Sequence, residues 1–282
     1  MNLPLKSDLS GKVAVVTGAG GVLCSVFAKA LAAAGAKVAL LNRTLANAEV
    51  VAEEIRADGG TAKAYQCNVL SKEDLERCHE EVIRGFGPCD ILINGAGGNN
   101  ARATTDKEYY EPGDLDAETK SFFDLDREGV EAVFNLNFTG VLLTTQVFAQ
   151  DMVDRPGCNI LNISSMNAYT PLTKIPAYSG AKAAVSNFTQ WLAVHFSKAG
   201  IRVNAIAPGF FSCKQNASLL WNPDGSPTPR TEKILAATPM GRFGLPEELL
   251  GTLLFLLDND AAGFITGVVI PVDGGFSAYS GV

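Results

Sequence analysis

Short apolar stretches alternate with longer stretches of helical periodicity along most of the chain. Residues 12–17 are almost uninterruptedly apolar, as expected for a strand buried on both faces. A glycine-rich turn follows, and residues 22–34 then have the apolar spacing of a helix that ends at Gly35. The same alternation predicts further strands at 37–41, 62–65, 91–94, 159–163, 202–207 and 267–272, and helices at 46–58, 71–86 and 177–199.

Strands that are separated by helices imply right-handed crossovers. The pattern therefore predicts an α/β fold, a single Rossmann-like domain over residues 1–282 with a doubly wound parallel sheet and helices on both faces. Ligands of such sheets bind beyond the carboxyl ends of the strands. We expect the functional residues to follow Thr17, Leu41, Asn94, Ile163 and Ala207.

Two long segments interrupt the alternation. Residues 97–126 are polar and contain eight acidic side chains, and residues 208–246 are rich in proline and glycine. Loops longer than about 15 residues in a compact domain are usually functional or disordered. Because both segments follow a predicted strand, we interpret them as walls of an active site, the second being a substrate loop. A plain surface insertion is the alternative, and it suits the first segment better than the second.

Composition and charge exclude several classes of protein. Apolar residues make up 47% of the 282, charged residues 19%, and the net charge is −7, which excludes a mainly disordered chain. The excess of 30 acidic over 23 basic residues argues against non-specific nucleic-acid binding. No apolar run reaches the roughly 18 residues of a membrane span, and the first eight residues lack a signal-peptide core. We therefore expect a cytoplasmic protein.

The cysteines and histidines do not indicate a metal site. The six cysteines contain no Cys-x-x-Cys pair, which predicts reduced and mostly structural thiols. They are Cys24, Cys67, Cys78, Cys89, Cys158 and Cys213. His79 and His195 are isolated and are predicted to be helix residues. Zinc chemistry and a Ser-His-Asp hydrolase are therefore both disfavoured.

The turn after the first strand has the composition of a phosphate-binding loop. It contains Gly18, Gly20 and Gly21, followed by Val22 and Leu23 at the start of a helix. Glycines here let backbone N–H groups approach a pyrophosphate. After the second strand, Asn42 and Arg43 stand where an NAD site usually has a carboxylate. A guanidinium can pair with a 2′-phosphate, so the sequence predicts NADP over NAD, with NAD as the alternative.

Three residues suggest the chemistry. Tyr178 and Lys182 lie four apart near the start of a predicted helix and so share a face, and Ser165 follows the fifth strand. Together with further landmarks in order, they give the chain a resemblance to the short-chain dehydrogenase/reductase family across nearly its whole length. These landmarks are Thr17-Gly18, Asn94-Gly-Ala-Gly97, Asn137, Pro208-Gly209 and Val272-Asp-Gly-Gly275.

The resemblance implies a role for each of these residues. Tyr178 would exchange the proton, Lys182 would lower the pKa of the phenol and bind the nicotinamide ribose, and Ser165 would orient the substrate oxygen. Asn137 would hold a water molecule that links the lysine to solvent. The implied cofactor contacts also include Asn68, Val69, Asn94, Ala96, Gly97, Pro208 and Gly209. The chain departs from the family pattern at Val22, Cys24 and Asn68, where glycine, glycine and aspartate are usual.

Several stretches resemble the D-mannonate oxidoreductase branch of that family, namely residues 20–24, 97–100, 165–178 and 272–282. This resemblance implies interconversion of a keto-uronate, D-fructuronate, and the matching aldonate, D-mannonate. The hydroxyl groups would be bound by Asn99, Asn100, Ser165 and Asn167, and the carboxylate by Lys174 or, alternatively, Arg102.

The family resemblance also implies a homo-oligomer, a dimer or tetramer, and leaves Phe188 and Trp191 either at its interface or in the core. The alternative functions are another polyol, gluconate-type or general ketone reductase and, less favoured, a non-catalytic dinucleotide-sensing regulator.

Overall fold

The computed structural model describes residues 7–212 and 217–281. It contains one seven-stranded sheet in which every neighbouring pair is parallel, in the order β3-β2-β1-β4-β5-β6-β7. The strands are β1 Val13–Thr17, β2 Lys37–Asn42, β3 Thr61–Gln66, β4 Ile91–Asn94, β5 Cys158–Ile163, β6 Ile201–Pro208 and β7 Val269–Val272. The predicted doubly wound parallel sheet is confirmed, and each predicted strand lies within two residues of the observed one.

Helices cover both faces of the sheet and bury a separate apolar cluster on each. They are α1 Val22–Ala33, α2 Leu45–Ala57, α3 Lys72–Gly85, α4 Arg127–Phe134, α5 Gly140–Phe148, α6 Pro176–His195, α7 Ala217–Leu220, α8 Pro229–Ala236, α9 Leu250–Leu257 and α10 Asn259–Ala262. Phe27 of α1 fills the core on one face and Phe148 of α5 fills it on the other, both fully buried. Burial on both faces explains why the central strands read as continuous apolar runs.

Local signals in the sequence account for the helix ends. The hydroxyl of Ser71 accepts the backbone N–H of Asp74 at 3.1 Å, which is one half of a capping box at the start of α3. Pro176 occupies the first turn of α6, where its missing N–H costs no helical hydrogen bond. After α6 the chain makes a 3-10 turn and then takes the left-handed conformation at Gly200, φ +75°.

The order of the strands reverses between β1 and β4, and this reversal opens a crevice at the carboxyl edge of the sheet. The turn after β1 and residues 95–98 after β4 meet there. A Cβ atom on Gly18, whose φ is +66°, would lie 2.9 Å from the Ala96 Cα. Only glycine permits so close an approach of the two turns.

One helical rod, residues 127–152, lies outside the elements that the sequence pattern predicts. It runs through α4, a π-helical turn at Asn135–Thr139, α5 and a 3-10 turn at Ala149–Met152. Its length and its mean hydropathy of 1.3 would suffice for a membrane span, but half of that apolar stretch is buried inside the domain. A core helix has these same properties, so the rod is weak evidence for a membrane span.

The two long segments lie against each other. In the first, Ala103 is fully buried in a small cluster with residues of α4 and α6, and Thr105 N–H donates to the Lys174 carbonyl at 3.0 Å. The second, residues 208–246, has a small cluster of its own formed by Leu220, Ile234 and Phe243. An ion pair of 2.7 Å between Lys233 Nζ and Glu108 Oε1 connects the two segments.

The described cysteines and histidines occupy the structural positions that the sequence predicts. Five cysteines are buried free thiols, and Cys213 lies outside the described residues. His79 is in α3, where it pairs with Asp151 at 2.8 Å, and His195 ends α6. Trp191 is 56% exposed, which excludes it from the core, whereas Phe188 is partly buried and stacks on it at 6.1 Å.

Candidate active site

A cavity of about 540 Å³ opens at the crevice between β1 and β4. It brings together the glycine turn, the end of β2, residues 95–98 and the Ser165, Tyr178 and Lys182 side chains. The predicted cofactor and catalytic residues that line it are Gly18, Gly20, Gly21, Val22, Leu23, Asn42, Arg43, Ala96, Gly97, Ser165, Tyr178, Lys182, Pro208 and Gly209. Thr44 and Asn47 also line it, and no motif in the sequence pointed to them.

The start of α1 is suited to a phosphate group. Gly21 is the N-cap residue and offers no side chain to the first-turn N–H groups, which therefore remain available to an anion. A Cβ atom on Gly20 would lie 2.6 Å from the Asn47 Cβ, so a side chain at position 20 would push α2 away from the turn. This uncapped helix end, over a large cavity, fits the pyrophosphate of a dinucleotide.

Asn42 and Arg43 lie at the end of the cavity that is formed by β2. The Asn42 amide donates to the Thr44 carbonyl at 2.8 Å and accepts Gly20 N–H at 3.4 Å, so it holds the glycine turn against the end of β2. The Arg43 side chain is exposed. No described carboxylate lines the cavity, which leaves Arg43 as the charged group at this end of it.

Asn68 and Val69 follow β3 and lie outside the cavity lining. The Asn68 amide oxygen accepts Leu70 N–H at 3.1 Å, and its backbone N–H donates to Asp74 at 3.1 Å. This bond is the largest of the causes that lower the pKa of the Asp74 carboxyl. Val69 is buried, and a Cβ atom on Gly140 would lie 2.9 Å from its Cγ2. In the structure both residues shape the turn beside the cavity.

Asn94 acts below the cavity, within a buried network. Its Nδ2 donates to Thr145 Oγ1 at 3.0 Å and to Asn162 Oδ1 at 2.9 Å, and Asn162 in turn donates to Thr189 at 2.9 Å. The network therefore ties β4 and β5 to α5 and α6. Because the hydrogen bonds are buried and directional, they fix the helix that carries Tyr178 relative to the strand ends.

The catalytic candidates converge from β5 and α6. Ser165 follows β5 and caps a 3-10 turn at Met166–Ala168, and Tyr178 and Lys182 lie one turn apart on α6. Lys182 Nζ lies 5.7 Å from the centre of the Tyr178 ring and donates to the Ile163 carbonyl at 2.8 Å. The lysine is only 4% exposed.

Burial controls the ionisation of both groups. It raises the pKa of the Tyr178 phenol, and the hydrogen bond with Ser165 opposes this only in part. It also lowers the pKa of Lys182 to about 8. The sequence led us to expect that the lysine would lower the phenol's pKa. In this structure desolvation of the phenolate is the largest influence on the phenol, and it acts in the opposite direction to a neighbouring ammonium. Tyr178 is therefore a protonated phenol near neutral pH, which is the state of a proton donor.

Asn137 lies in the π-helical turn and is completely buried. Its Nδ2 donates to the carbonyls of Gly98 at 2.7 Å and Val133 at 2.8 Å, and its Oδ1 accepts Gly98 N–H at 3.1 Å. A Cβ atom on Gly97 would lie 2.7 Å from this Oδ1 and 3.2 Å from Lys182 Nζ. Asn137 thus holds the wall of the cavity next to the lysine.

Cys24 replaces a glycine of the family pattern and lines the cavity. A Cβ atom on Gly95 would lie only 2.1 Å from its Sγ, so the thiol occupies space that glycine leaves free on the opposite turn. Burial raises the pKa of the thiol to about 12, and Lys182 lowers it in part. Cys24 is therefore a neutral packing group beside the lysine.

The structure separates the predicted substrate residues. Asn99 donates to Thr104 at 3.0 Å and Asn100 accepts Arg102 N–H at 2.9 Å, so both amides stabilise the fold of residues 97–126. Lys174 Nζ donates to the Asp106 carbonyl at 2.6 Å.

Two of these residues differ sharply in their surroundings. The Arg102 guanidinium is paired with the carboxylates of Asp126 and Glu128. Asn167 is 4% exposed, and its backbone N–H donates to Ser165 Oγ at 3.2 Å. The backbone of Asn167 therefore lies against the Ser165 hydroxyl.

Comparison with known proteins agrees with this geometry. Residues 12–222 match the family model of short chain dehydrogenases. The chain is 55% identical over 280 residues to a protein named uncharacterized oxidoreductase UxuB from Bacillus subtilis, which covers 99% of this chain and 100% of the relative. A solved structure from Haemophilus influenza is 61% identical, with a TM-score of 0.95 and 98% of both chains covered. It is described as a "putative D-Mannonate oxidoreductase" with bound NAD.

A more distant solved structure shows the other nicotinamide cofactor. It comes from Agrobacterium tumefaciens, is 28% identical, has a TM-score of 0.79 and covers 96% of this chain and 98% of its own. It is described as a "putative 2-deoxy-d-gluconate 3-dehydrogenase" with bound NADP. Similarity over the whole chain and the ordered site residues lead to one conclusion: this chain belongs to the short-chain dehydrogenase family and is an NAD(P)-dependent oxidoreductase.

Proposed function

We propose that the protein interconverts D-fructuronate and D-mannonate with a nicotinamide cofactor. The observation that carries the chemistry is the convergence of Ser165, Tyr178 and Lys182 on one wall of a cavity whose other end is an uncapped helix N-terminus. The similarity to the Haemophilus structure supports the substrate. In the direction of reduction, a keto-uronate, NAD(P)H and one proton give the aldonate and NAD(P)⁺.

The residues of the cavity fit a dinucleotide. The N-terminus of α1 would hold the pyrophosphate, Gly18 and Ala96 would border it, and Lys182 would reach the ribose next to the nicotinamide. When bound, the cofactor supplies or accepts the hydride. We propose NADP as the preferred form because Arg43 is the charged group at the adenosine end, with NAD also accepted, as in the Haemophilus relative.

The proton would be exchanged by Tyr178. Its neutral phenol donates to the carbonyl oxygen during reduction, while Ser165 donates a hydrogen bond that stabilises the developing charge. The phenolate that results is stabilised by the Lys182 ammonium, whose ring-to-nitrogen distance of 5.7 Å is short enough for a strong attraction in a dry site. Lys182, with its pKa near 8, can then return a proton.

The carboxylate of a sugar acid needs a cation, and Lys174 is the better of the two candidates. Its bond to the Asp106 carbonyl leaves two of its three N–H donors free. The charge of Arg102, by contrast, is already neutralised by two carboxylates. Residues 97–126 and 208–246 would form the walls of the substrate site, with Asn99 and Asn100 contributing hydroxyl contacts. We also propose that the protein is a cytoplasmic homo-oligomer. The exposed Trp191 supports the oligomer, because a large exposed aromatic side chain suits an interface between subunits.

A gluconate-type dehydrogenase is the second candidate, favoured by the likeness to the Agrobacterium structure. A non-catalytic dinucleotide sensor is disfavoured because the three catalytic side chains are all present. Steady-state kinetics with D-fructuronate, 5-keto-D-gluconate and a simple ketone, each with NADH and NADPH, would separate these functions. We expect the highest kcat/KM with D-fructuronate. A higher value with 5-ketogluconate would favour the second candidate, and no turnover of any ketone would favour the sensor.

The Lys174 assignment has its own test. Lys174→Ala should raise KM for D-fructuronate while KM for a neutral ketone stays unchanged, since only the acid carries the charge that Lys174 would bind. Lys198→Ala, which removes an exposed ammonium of the same kind, is the matched control. An unchanged KM for the acid would remove Lys174 from the site.

A further inference from the structure

One short turn, residues 165–169, connects the catalytic serine to a tyrosine outside the cavity; we refer to it as the serine turn. Ser165 is the N-cap of its 3-10 segment, Met166–Ala168, and Tyr169 is the C-cap. Ala168 N–H donates to the Ser165 carbonyl at 3.0 Å, and Tyr169 N–H donates to the Met166 carbonyl at 2.9 Å. Because the turn is short and closed by its own hydrogen bonds, a displacement of one end moves the other.

The two ends of the serine turn are anchored to different strands. At the first end, Ser164 N–H donates to the Ile206 carbonyl of β6 at 2.8 Å. At the other end, the Tyr169 phenol donates to the Val269 carbonyl of β7 at 2.8 Å. β7 is the edge strand, and β6 separates it from β5, the strand from which the turn starts. The phenol therefore ties the turn to a strand that does not pair with β5.

Burial does not account for the tyrosine at this position. The Tyr169 side chain is 48% exposed, so about half of its apolar surface is not removed from water. Its hydroxyl nevertheless donates to a carbonyl 100 positions away along the chain. Partial desolvation raises the pKa of this phenol, so it remains a neutral hydrogen-bond donor across the neutral pH range.

The serine turn lies where a small displacement affects the reaction. It is next to α6, which carries Tyr178, and next to the C-terminal 3-10 turn at Phe276–Ala278. The Ser165 hydroxyl is hydrogen-bonded to the Tyr178 phenol and must also reach the substrate oxygen. A misplacement of about 1 Å at such a site can cost about 100-fold in rate. An anchor at the far end of the turn therefore influences the rate although it contacts neither substrate nor cofactor.

We propose that Tyr169 is a positioning residue for Ser165, which it holds in place by tying the far end of the serine turn to β7. This inference rests on the role proposed for Ser165 and deepens it, but it does not depend on which ketone is the substrate. Loss of the Tyr169 hydroxyl should lower kcat because the serine is less well placed. It should leave KM for the cofactor unchanged, because the glycine turn and the end of β2 are not connected to this anchor.

A double-mutant cycle separates positioning of the serine from general support of the fold. Tyr169→Phe, which removes only the hydroxyl, is measured alone and in the Ser165→Ala background. The substrate is whichever of D-fructuronate, 5-keto-D-gluconate and a simple ketone the wild type reduces fastest, at saturating NADPH. The matched control is Tyr65→Phe, which removes a hydroxyl on β3 that has no hydrogen-bond partner among the described residues.

We expect Tyr169→Phe to lower kcat about fivefold when Ser165 is present, the size of one neutral hydrogen bond. In the Ser165→Ala background the same change should alter kcat by less than about twofold, since the group that it positions is gone. Tyr65→Phe should leave kcat unchanged in both backgrounds. Equal decreases from Tyr169→Phe in both backgrounds, or no decrease in either, would overturn the inference. A wild-type kcat in Ser165→Ala would instead overturn the role proposed for the serine.

If turnover by Ser165→Ala is too slow to measure, the pH profile of kcat/KM for reduction decides. The hydrogen bond with Ser165 lowers the pKa of the Tyr178 phenol, so a displaced serine lets that pKa rise. The alkaline limb of the profile, where the protonated donor is lost, should then move to higher pH in Tyr169→Phe and stay in place in Tyr65→Phe. An alkaline limb that does not move in Tyr169→Phe would overturn the inference.

Discussion

Replacing Lys182 with methionine should stabilise the fold while abolishing activity. The lysine is 4% exposed and its pKa is lowered to about 8 from 10.5, with burial as the leading cause. A difference of roughly 2.5 pKa units corresponds to about 3 kcal/mol by which burial of the ammonium disfavours the folded state at pH 7. Methionine has a similar length without the charge, but it leaves the Ile163 carbonyl unpaired, which costs about 1–3 kcal/mol.

The pH dependence gives the sharper test of this reasoning. Because the folded pKa of Lys182 is lowered, the unfolded chain binds more protons between pH 8 and the unfolded pKa of 10.5, and wild-type stability from this group rises with pH there. Between pH 7 and pH 9.5 the wild type should gain about 2 kcal/mol relative to Lys182→Met. The net advantage of the variant at pH 7 should therefore shrink and reverse.

Urea unfolding followed by circular dichroism would measure both free energies, at equal protein concentrations and without cofactor. Lys198→Met is the control because it removes the same charge from an exposed position. It should change the free energy of unfolding by no more than about 0.5 kcal/mol at either pH. If Lys182→Met were destabilised by the same amount at pH 7 and pH 9.5, the ammonium would not be desolvated as described.

Three further outcomes follow from the site. Tyr178→Phe should lower kcat by about 10²–10⁴-fold with cofactor affinity retained, and turnover close to that of the wild type would exclude the phenol as the proton donor. Arg43→Ala should raise KM for NADPH about tenfold and leave KM for NADH almost unchanged, because only the former has a 2′-phosphate, whereas equal changes would contradict that role. Gly95→Ala should cost about 1–3 kcal/mol of stability, since its Cβ atom would lie 2.1 Å from Cys24 Sγ. Cys24→Gly should recover most of this loss in a double-mutant cycle, and the absence of coupling would refute the contact.

Much of the site could be predicted from the sequence because its elements are local. A turn that follows a parallel strand lies at the carboxyl edge of the sheet. The turn that contains Gly18, Gly20 and Gly21 follows β1 and therefore lies at that edge. The four-residue spacing of Tyr178 and Lys182 likewise fixes their common helix face. The rod at residues 127–152 was missed because its π-helical turn at Asn135–Thr139 shifts the helical register, which breaks a regular period.

The environment of each group could not be read from the sequence. The four-residue spacing places Lys182 near Tyr178, and we expected the ammonium to lower the pKa of the phenol. Only the folded structure shows that Lys182 donates to the Ile163 carbonyl and that burial is the largest influence on the pKa of both groups. Whether a nearby charge or lost hydration dominates depends on the surrounding atoms, which come from distant parts of the chain. The sequence favoured Lys174 for the carboxylate and left Arg102 as the alternative, and only the structure shows the two carboxylates that pair with Arg102.

The alternation of apolar and helical segments, by itself, determined a parallel sheet with its ligands at one edge, because burial on both faces and the handedness of crossovers leave few other arrangements. Tertiary structure decided which groups at that edge are desolvated, paired or left without a partner, as Asn167 Oδ1 is. The physical reason is the distance along the chain over which each effect acts. The periodicity that forms a strand or helix depends on residues only a few positions apart. The electrostatic free energy of a buried group depends instead on every element packed around it.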